Sequence, residues 1–466
     1  MEMEMEMDLA TLRRKWLVPL IFFELYLAVT ILLFFFGPWN WEVPEPVRLA
    51  SYLVAAQVFI GSGYLLAWHS VRREHGTVAR GMQSQQVGAG IVYLKRALIV
   101  TFVLLIPTSF SRTGGVLPNI IAGIGDPGAV YNQNFERLEG GNAFVIVEYL
   151  RMLLSPLLVG VYPLAIVYWS RLSGKVRVIC LAAIMFNLSL YLATGTNKGL
   201  ADFVITLPWL MFLGISAGVF KLRIHRGVLA IGFAILFIAF LQFFGMGQIQ
   251  REGGVGELGV FNTGFGLLQA DTSNVISQLL SRDLQIIFES LTRYIGQGYY
   301  ALSMSFDIDH SSTFGFGHSM FLARNADAIF GTTEFTSGSI PGLLEGQTGW
   351  GMLSLWHSIY PWLASDFGFI GALFVLSMLS YLFALSWGRS LVTLAPQWVV
   401  LSYLLLILFF YIPANNQIFQ SGETCFAFLL LLMSILFRKM LFTTVSPSSE
   451  LLSMRSRSAS KSIEPG

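Results

Sequence analysis

Three histidines in one polar stretch raise the question of chemistry. His310, His318 and His357 fall between Tyr294 and Asp366, among glycines, carboxylates, arginines and paired aromatics. A neutral imidazole where an apolar wall meets a polar cavity can take a proton from an attacking hydroxyl, worth roughly 10²–10⁴-fold in rate. His357, in WHSIYPWLASD, is the first candidate for that base, and His318, in FGFGHS, the second. The plain alternative for each is a hydrogen-bonded interfacial histidine. Arg251, Arg282, Arg293, Arg324 and Lys198 are the cations near apolar segments on the same side. Guanidinium forks grip phosphate oxygens bidentately. Scattered arginines are usually solvated, so the argument is collective, with Arg293 and Arg324 foremost because they flank the glycine–aromatic motifs. Lys198 lies in the turn TGTNKG, where exposed backbone N–H groups can add to an anion site; its bland role is a pairing with Asp202 at i+4.

Asp307-Ile-Asp309-His310 has the spacing of metal ligands, yet three polar loop residues coincide easily. Neither metal nor cofactor is expected. Tyr299, Tyr300, Trp356 and Tyr360 are suited to stacking on sugar rings, and an interfacial aromatic belt is the competing account.

The elements that must position these residues are apolar. Hydrophobic residues make up 55% of the 466 and charged ones 12%, against about 25% charged in soluble domains. The reading is an all-α polytopic membrane protein. A net charge of +2 gives no electrostatic case for nucleic acid. Cys180 and Cys425 sit in apolar segments and read as small buried hydrophobes, not a disulfide framework. Ten segments are candidates to span: 16–36, 47–68, 97–109 (with a start at Val87 also open), 144–170, 178–193, 200–220, 227–246, 367–388, 398–412 and 423–437. The first is too long for a signal-peptide core and reads as a retained anchor. Residues 1–246 thus carry transmembrane helices 1–7, 247–366 form a large extracytoplasmic loop, 367–440 carry helices 8–10, and 441–466 are a disordered tail. Ordered loops of that length are uncommon and usually functional.

Within the loop, apolar periodicity predicts an amphipathic helix over 273–294, lying in the outer interface. Gln278, Arg282, Gln285, Glu289 and Arg293 form its polar stripe, turned towards the loop cavity. Twenty of the 29 lysines and arginines fall on the connectors that share a side with the termini. The positive-inside rule therefore puts both termini in the cytoplasm and the loop outside. His69, His75 and His225 fall near the cytoplasmic face and drop out as candidates. Inside the membrane, Glu24 has no local partner and must face the bundle or a cavity, whereas Glu148 and Arg151, at i,i+3, can neutralise each other.

Three segments, LATGTNKGLAD (192–202), GYYALSMSFD with TFGFGHSMF (298–321) and WHSIYPWLASDFGFIGALF (356–374), resemble stretches common in O-antigen and oligosaccharide repeat unit polymerases of the Wzy type. The topology of nearly the whole chain resembles that family too. The resemblance implies a GT-C-like, metal-independent glycosyltransferase of the bacterial inner membrane. Its substrates would be undecaprenyl-diphosphate-linked oligosaccharides, joined into O-antigen, capsule or exopolysaccharide, with membrane lipid around it and a chain-length regulator and a flippase as partners. It asks for a base (His357 or His318), for cations at the departing diphosphate (Arg251, Arg282, Arg293, Arg324) and for a lateral polyprenol groove. Two alternatives stay open. One is an O-antigen ligase, which uses lipid A–core as acceptor. The other is a non-enzymatic lipid-linked oligosaccharide transporter or flippase, which would have short loops and more charges buried among its spans.

Overall fold

The computed structural model describes residues 8–76, 82–139, 144–220, 225–251, 259–263, 266–271 and 273–437. The tail expected at 441–466 lies outside them. The first helix, Leu9–Phe36, begins where the Asp8 carboxylate caps the Thr11 N–H at 2.8 Å and its hydroxyl at 2.7 Å. Among the described residues seven helices are long and apolar enough to cross a membrane. The pair Val145–Leu153 and Ser155–Val167, bent by 64°, makes an eighth when taken as one span. The bend falls at Leu154, just before Pro156, which has no N–H to continue the ladder. Pro396–Tyr411 and Gly422–Phe437 fall on the last two expected segments. Each has 16 residues, about 24 Å of helix. The chain is an all-α multi-pass membrane protein, helical among the described residues apart from one short hairpin.

The longest helix, Ile359–Thr393, runs against Pro46–Leu66. Contact is so close that a Cβ on Gly63 would sit 2.1 Å from the Ser377 carbonyl oxygen. Trp16 Nε1–H donates to the Ala384 carbonyl at 2.9 Å, and the Tyr64 hydroxyl to the Trp16 carbonyl at 2.7 Å, tying the first helix to both. Glu24 faces this core beside Gly61, with Oε1 sealed and unbonded.

Three expectations change. The third apolar segment is one 32-residue helix, Met82–Thr113. The connector between this segment and the next expected span forms helices Ile120–Gly125 and Pro127–Glu139. The amphipathic helix expected over 273–294 is interrupted at Leu280–Ser281; its main part starts at Arg282 and continues to Ser305. The C-terminal part of its polar stripe is packed inward, with Glu289 and Arg293 only 6% and 7% exposed, while Gln278 and Arg282 are exposed. The cause is an antiparallel hairpin, Val260–Asn262 with Leu267–Gln269, laid against it. Glu289 accepts the Gly259 N–H at 2.9 Å, and the Arg293 guanidinium sits 5.0 Å from the Phe261 ring centre.

Candidate functional site

Gly368, at φ 68° and ψ 168°, breaks the Ile359–Thr393 helix two residues after Asp366. Only glycine adopts that conformation readily. The Asp366 side chain, 1% exposed, is thereby held at the end of the short first segment. The backbone of TFGFGHS folds over this carboxylate. Gly315, Gly317 and His318 donate their N–H groups to it at 2.9, 3.3 and 2.8 Å, and the Thr313 hydroxyl donates at 2.5 Å. Closing the loop puts Phe314 at φ 54° and Gly315 at φ 87°. A bulky residue with positive φ is strained and persists only where its surroundings fix it. The His318 ring then donates Nδ1–H to Asp366 Oδ2 at 2.8 Å, which leaves Nε2 as the lone-pair nitrogen. The His318 side chain is 19% exposed. A carboxylate thus fixes the orientation of the imidazole, an arrangement also found in hydrolytic triads.

Two cavities lie in the bundle, and neither His318 nor Asp366 lines either of them. The larger, about 840 Å³, is apolar and lies between the helices Leu9–Phe36, Lys198–Ser216, Arg226–Arg251, Arg282–Ser305 and Pro396–Tyr411. Phe22, Trp209, Phe237, Phe240, Phe244 and Trp356 are in its wall, and Asn197, Lys198 and Gln417 form its polar end. Both polar atoms of the Asn197 amide are buried and unbonded. The smaller cavity, about 400 Å³, lies on the other side of Lys198, which lines both. At its charged end Arg112 Nη2 reaches Glu148 at 3.0 Å and Glu423 at 2.9 Å, and Arg151 Nη2 donates to both Glu423 oxygens at 2.9 Å. Glu148 is thus held directly by Arg112, not by the i,i+3 Arg151 expected to neutralise it.

One segment joins the three places. Gln417 lines the groove, Asn416 Nδ2–H donates to the His318 carbonyl at 2.6 Å, the Phe419 ring lies 5.5 Å from the imidazole, and Ser421–Thr424 wall the smaller cavity.

The other expected site residues are dispersed. His357 is 1% exposed, lines neither cavity, and neither ring nitrogen is hydrogen-bonded. Burial pushes its pKa down to about 4. It is neutral, as a base must be, but closed to any substrate. Arg293 is buried under the hairpin, Arg324 is exposed on helix Met320–Phe330, and Arg282 is exposed at the start of its own helix. The pair Arg293 and Arg324 therefore lines neither cavity. The Arg251 side chain lies outside the described residues. Tyr299 is fully buried, its hydroxyl 2.9 Å from that of Thr30, and Tyr360 is packed edge-on to Tyr52, so both belong to the core. Tyr300 is wedged between Trp41 and Trp350; Trp356 alone of the expected aromatics reaches the groove. Asp307 is bound to Arg48 at 2.7 Å, and His310 Nε2–H donates to the Ala364 carbonyl at 3.1 Å, so the metal-like spacing is drawn apart. Among the described residues no group of His, Cys, Asp or Glu is arranged to hold a metal.

Asp366, Asn197, Asp202 and Asn416 stand at the site without having been assigned to it. For Asp366 the signal was present: a carboxylate immediately before Phe-Gly at the mouth of a span. Comparison with protein-family models, curated proteins and solved structures gives no match for this chain.

Proposed function

We propose that this protein is a GT-C-like glycosyltransferase of the bacterial inner membrane. It joins undecaprenyl-diphosphate-linked oligosaccharide repeat units on the extracytoplasmic face, without a metal. The observation that carries the reading is the apolar groove capped by Lys198 and Asn197, set one segment away from the His318–Asp366 pair. A polyprenyl chain is an apolar ligand many residues long, and its diphosphate needs fixed positive charge and donors at one end of the groove. Lys198 supplies the charge and has no ion pair of its own among the described residues; the Asn197 amide supplies a donor.

The chemistry balances simply. The acceptor hydroxyl oxygen bonds to the anomeric carbon of the donor sugar. The bond from that carbon to the diphosphate oxygen breaks, and its electron pair leaves with undecaprenyl diphosphate. The hydroxyl proton passes to His318 Nε2. Diphosphate is a good leaving group and needs charge rather than a proton, whereas the hydroxyl is a poor nucleophile and gains most from a base.

The test is polymerisation in vitro with lipid-linked repeat unit. His318→Ala is expected to lower turnover roughly tenfold to a thousandfold with donor binding nearly intact. Asp366→Asn is expected to act in the same direction, because the imidazole loses the acceptor that fixes its tautomer. Lys198→Ala is expected to weaken donor binding and turnover together. Polymerisation by His318→Ala at the wild-type rate would remove the base assignment. In a deletion strain, single-repeat product indicates a polymerase; free lipid-linked polymer indicates a ligase.

A further inference from the structure

The smaller cavity has the profile of an amphiphile site, yet its polar end differs from that of the groove. Leu105, Leu158 and Ile184 form an apolar wall, and the charged residues gather above them. Its arginines are already committed, Arg112 to Glu148 and Glu423, and Arg151 to Glu423. Asp202 is different. It is 9% exposed, lines this cavity and not the groove, and its Oδ1 has no hydrogen-bond partner. Its interaction with the Tyr411 hydroxyl leaves that oxygen free. A buried acceptor without a donor is costly and marks a place where a ligand supplies one.

The chemistry of that ligand follows. A phosphate would face the Asp202 carboxylate and find both guanidinium forks occupied. A metal finds no suitable ligand cluster among the described residues. A hydroxyl-rich group donates to Asp202 and can accept from Lys198 in the same place. The volume, about 400 Å³, falls within the rough range of 300–1,000 Å³ for small-molecule sites.

We infer that this cavity is a saccharide site, and that it seats the acceptor sugar opposite the donor in the groove, with Asp202 Oδ1 receiving a sugar hydroxyl. The acceptor role rests on the glycosyl-transfer reading; saccharide binding does not. The arrangement places two substrates on either side of Lys198. The wall they share, 416–424, also carries the contacts to His318.

The probe is the methyl glycoside of the repeat unit, which lacks a diphosphate and can only accept. The full chain is held in nanodiscs. First, Ser421→Cys places a thiol in the cavity wall, and its labelling by a hydrophilic maleimide is followed with and without the probe. Cys180 and Cys425 are buried and contribute little background. Protection is expected, and it is expected to disappear when Asp202→Leu is added. Second, with donor saturating, Asp202→Asn and Asp202→Leu are expected to raise the KM for the probe by about tenfold or more while donor KM stays within twofold. Lys198→Ala is expected to raise donor KM. Thermal unfolding of each variant confirms that it is folded. Absence of protection in the Ser421→Cys protein that keeps Asp202, or an unchanged acceptor KM in a folded Asp202→Leu protein, overturns the inference. Protection without any transfer product would sustain the saccharide site and overturn glycosyl transfer, so the two failures are told apart.

Discussion

His357 lies sealed against Trp362 with both ring nitrogens unbonded, and burial holds its pKa near 4. In the unfolded chain the same ring titrates near 6.5. Between those two values the unfolded state binds a proton that the native state does not. Stability therefore rises with pH across that window and is lost on acidification, by on the order of 3 kcal/mol in full. Thermal unfolding in detergent is expected to fall measurably from pH 7 to pH 5. His357→Phe, which keeps the aromatic packing, is expected to flatten that fall while leaving transfer activity at pH 7 within a fewfold of wild type. Parallel slopes for the two proteins would show that other groups carry the acid lability. The two histidine candidates were alike as sequence, each an imidazole set among aromatics. What separates them is a carboxylate 48 residues from His318. The loop that brings the two together depends on a positive φ at Phe314, a residue type that does not announce one.

The element scale shows why the GYYALS segment is glycine-led. A Cβ on Gly298 would lie 2.0 Å from the Pro413 carbonyl oxygen and 2.8 Å from the Ser358 nitrogen. Helix Arg282–Ser305 is thereby pressed against the turn after His357 and the start of the shared wall. Gly298→Ala must push these apart, costing about 1–3 kcal/mol as overpacking does, and is expected to lower the unfolding temperature and turnover together. Gly346, in helix Ile340–Thr348, has open space around its Cβ position. There alanine replaces glycine in a helix, so Gly346→Ala is expected to leave the unfolding temperature unchanged or raise it. Equal effects from both substitutions would show that the close approach at Gly298 does not matter. The apolar segments were legible because length and hydropathy are local properties. The breaks at Leu154 and Gly368 were not, since proline and glycine also occur inside continuous helices here, at Pro19, Pro107 and Pro208. The inward turn of the Glu289–Arg293 stripe was hidden because the hairpin that covers it is a pairing between residues outside that helix.

At the scale of the whole molecule, the bundle has two chemically distinct ends. Lys15 donates to the Ser216 carbonyl at 2.8 Å, Gln83 to the Ala217 carbonyl at 3.1 Å, and Arg389 pairs with Glu74 at 2.5 Å, so basic connectors meet at one end. Arg112, Arg151, Lys198, His318 and Asp366 gather at the other, where each cation or imidazole lines a cavity or holds a carboxylate. The sequence puts twenty of the 29 basic residues on connectors expected to share that side, and on the positive-inside rule we propose that this end faces the cytoplasm. The orientation matters to the proposed chemistry, which requires lipid-linked repeat units to meet the groove and His318 on the face where polymer is delivered. Ser312 is exposed beside the Asp366 loop, and Ser173 is exposed at the basic end. In intact spheroplasts an impermeant maleimide is expected to label Ser312→Cys and to spare Ser173→Cys until the membrane is opened. The reverse pattern would invert the bundle. The cavities and the histidine would then face the cytoplasm, and transfer outside the membrane would be untenable.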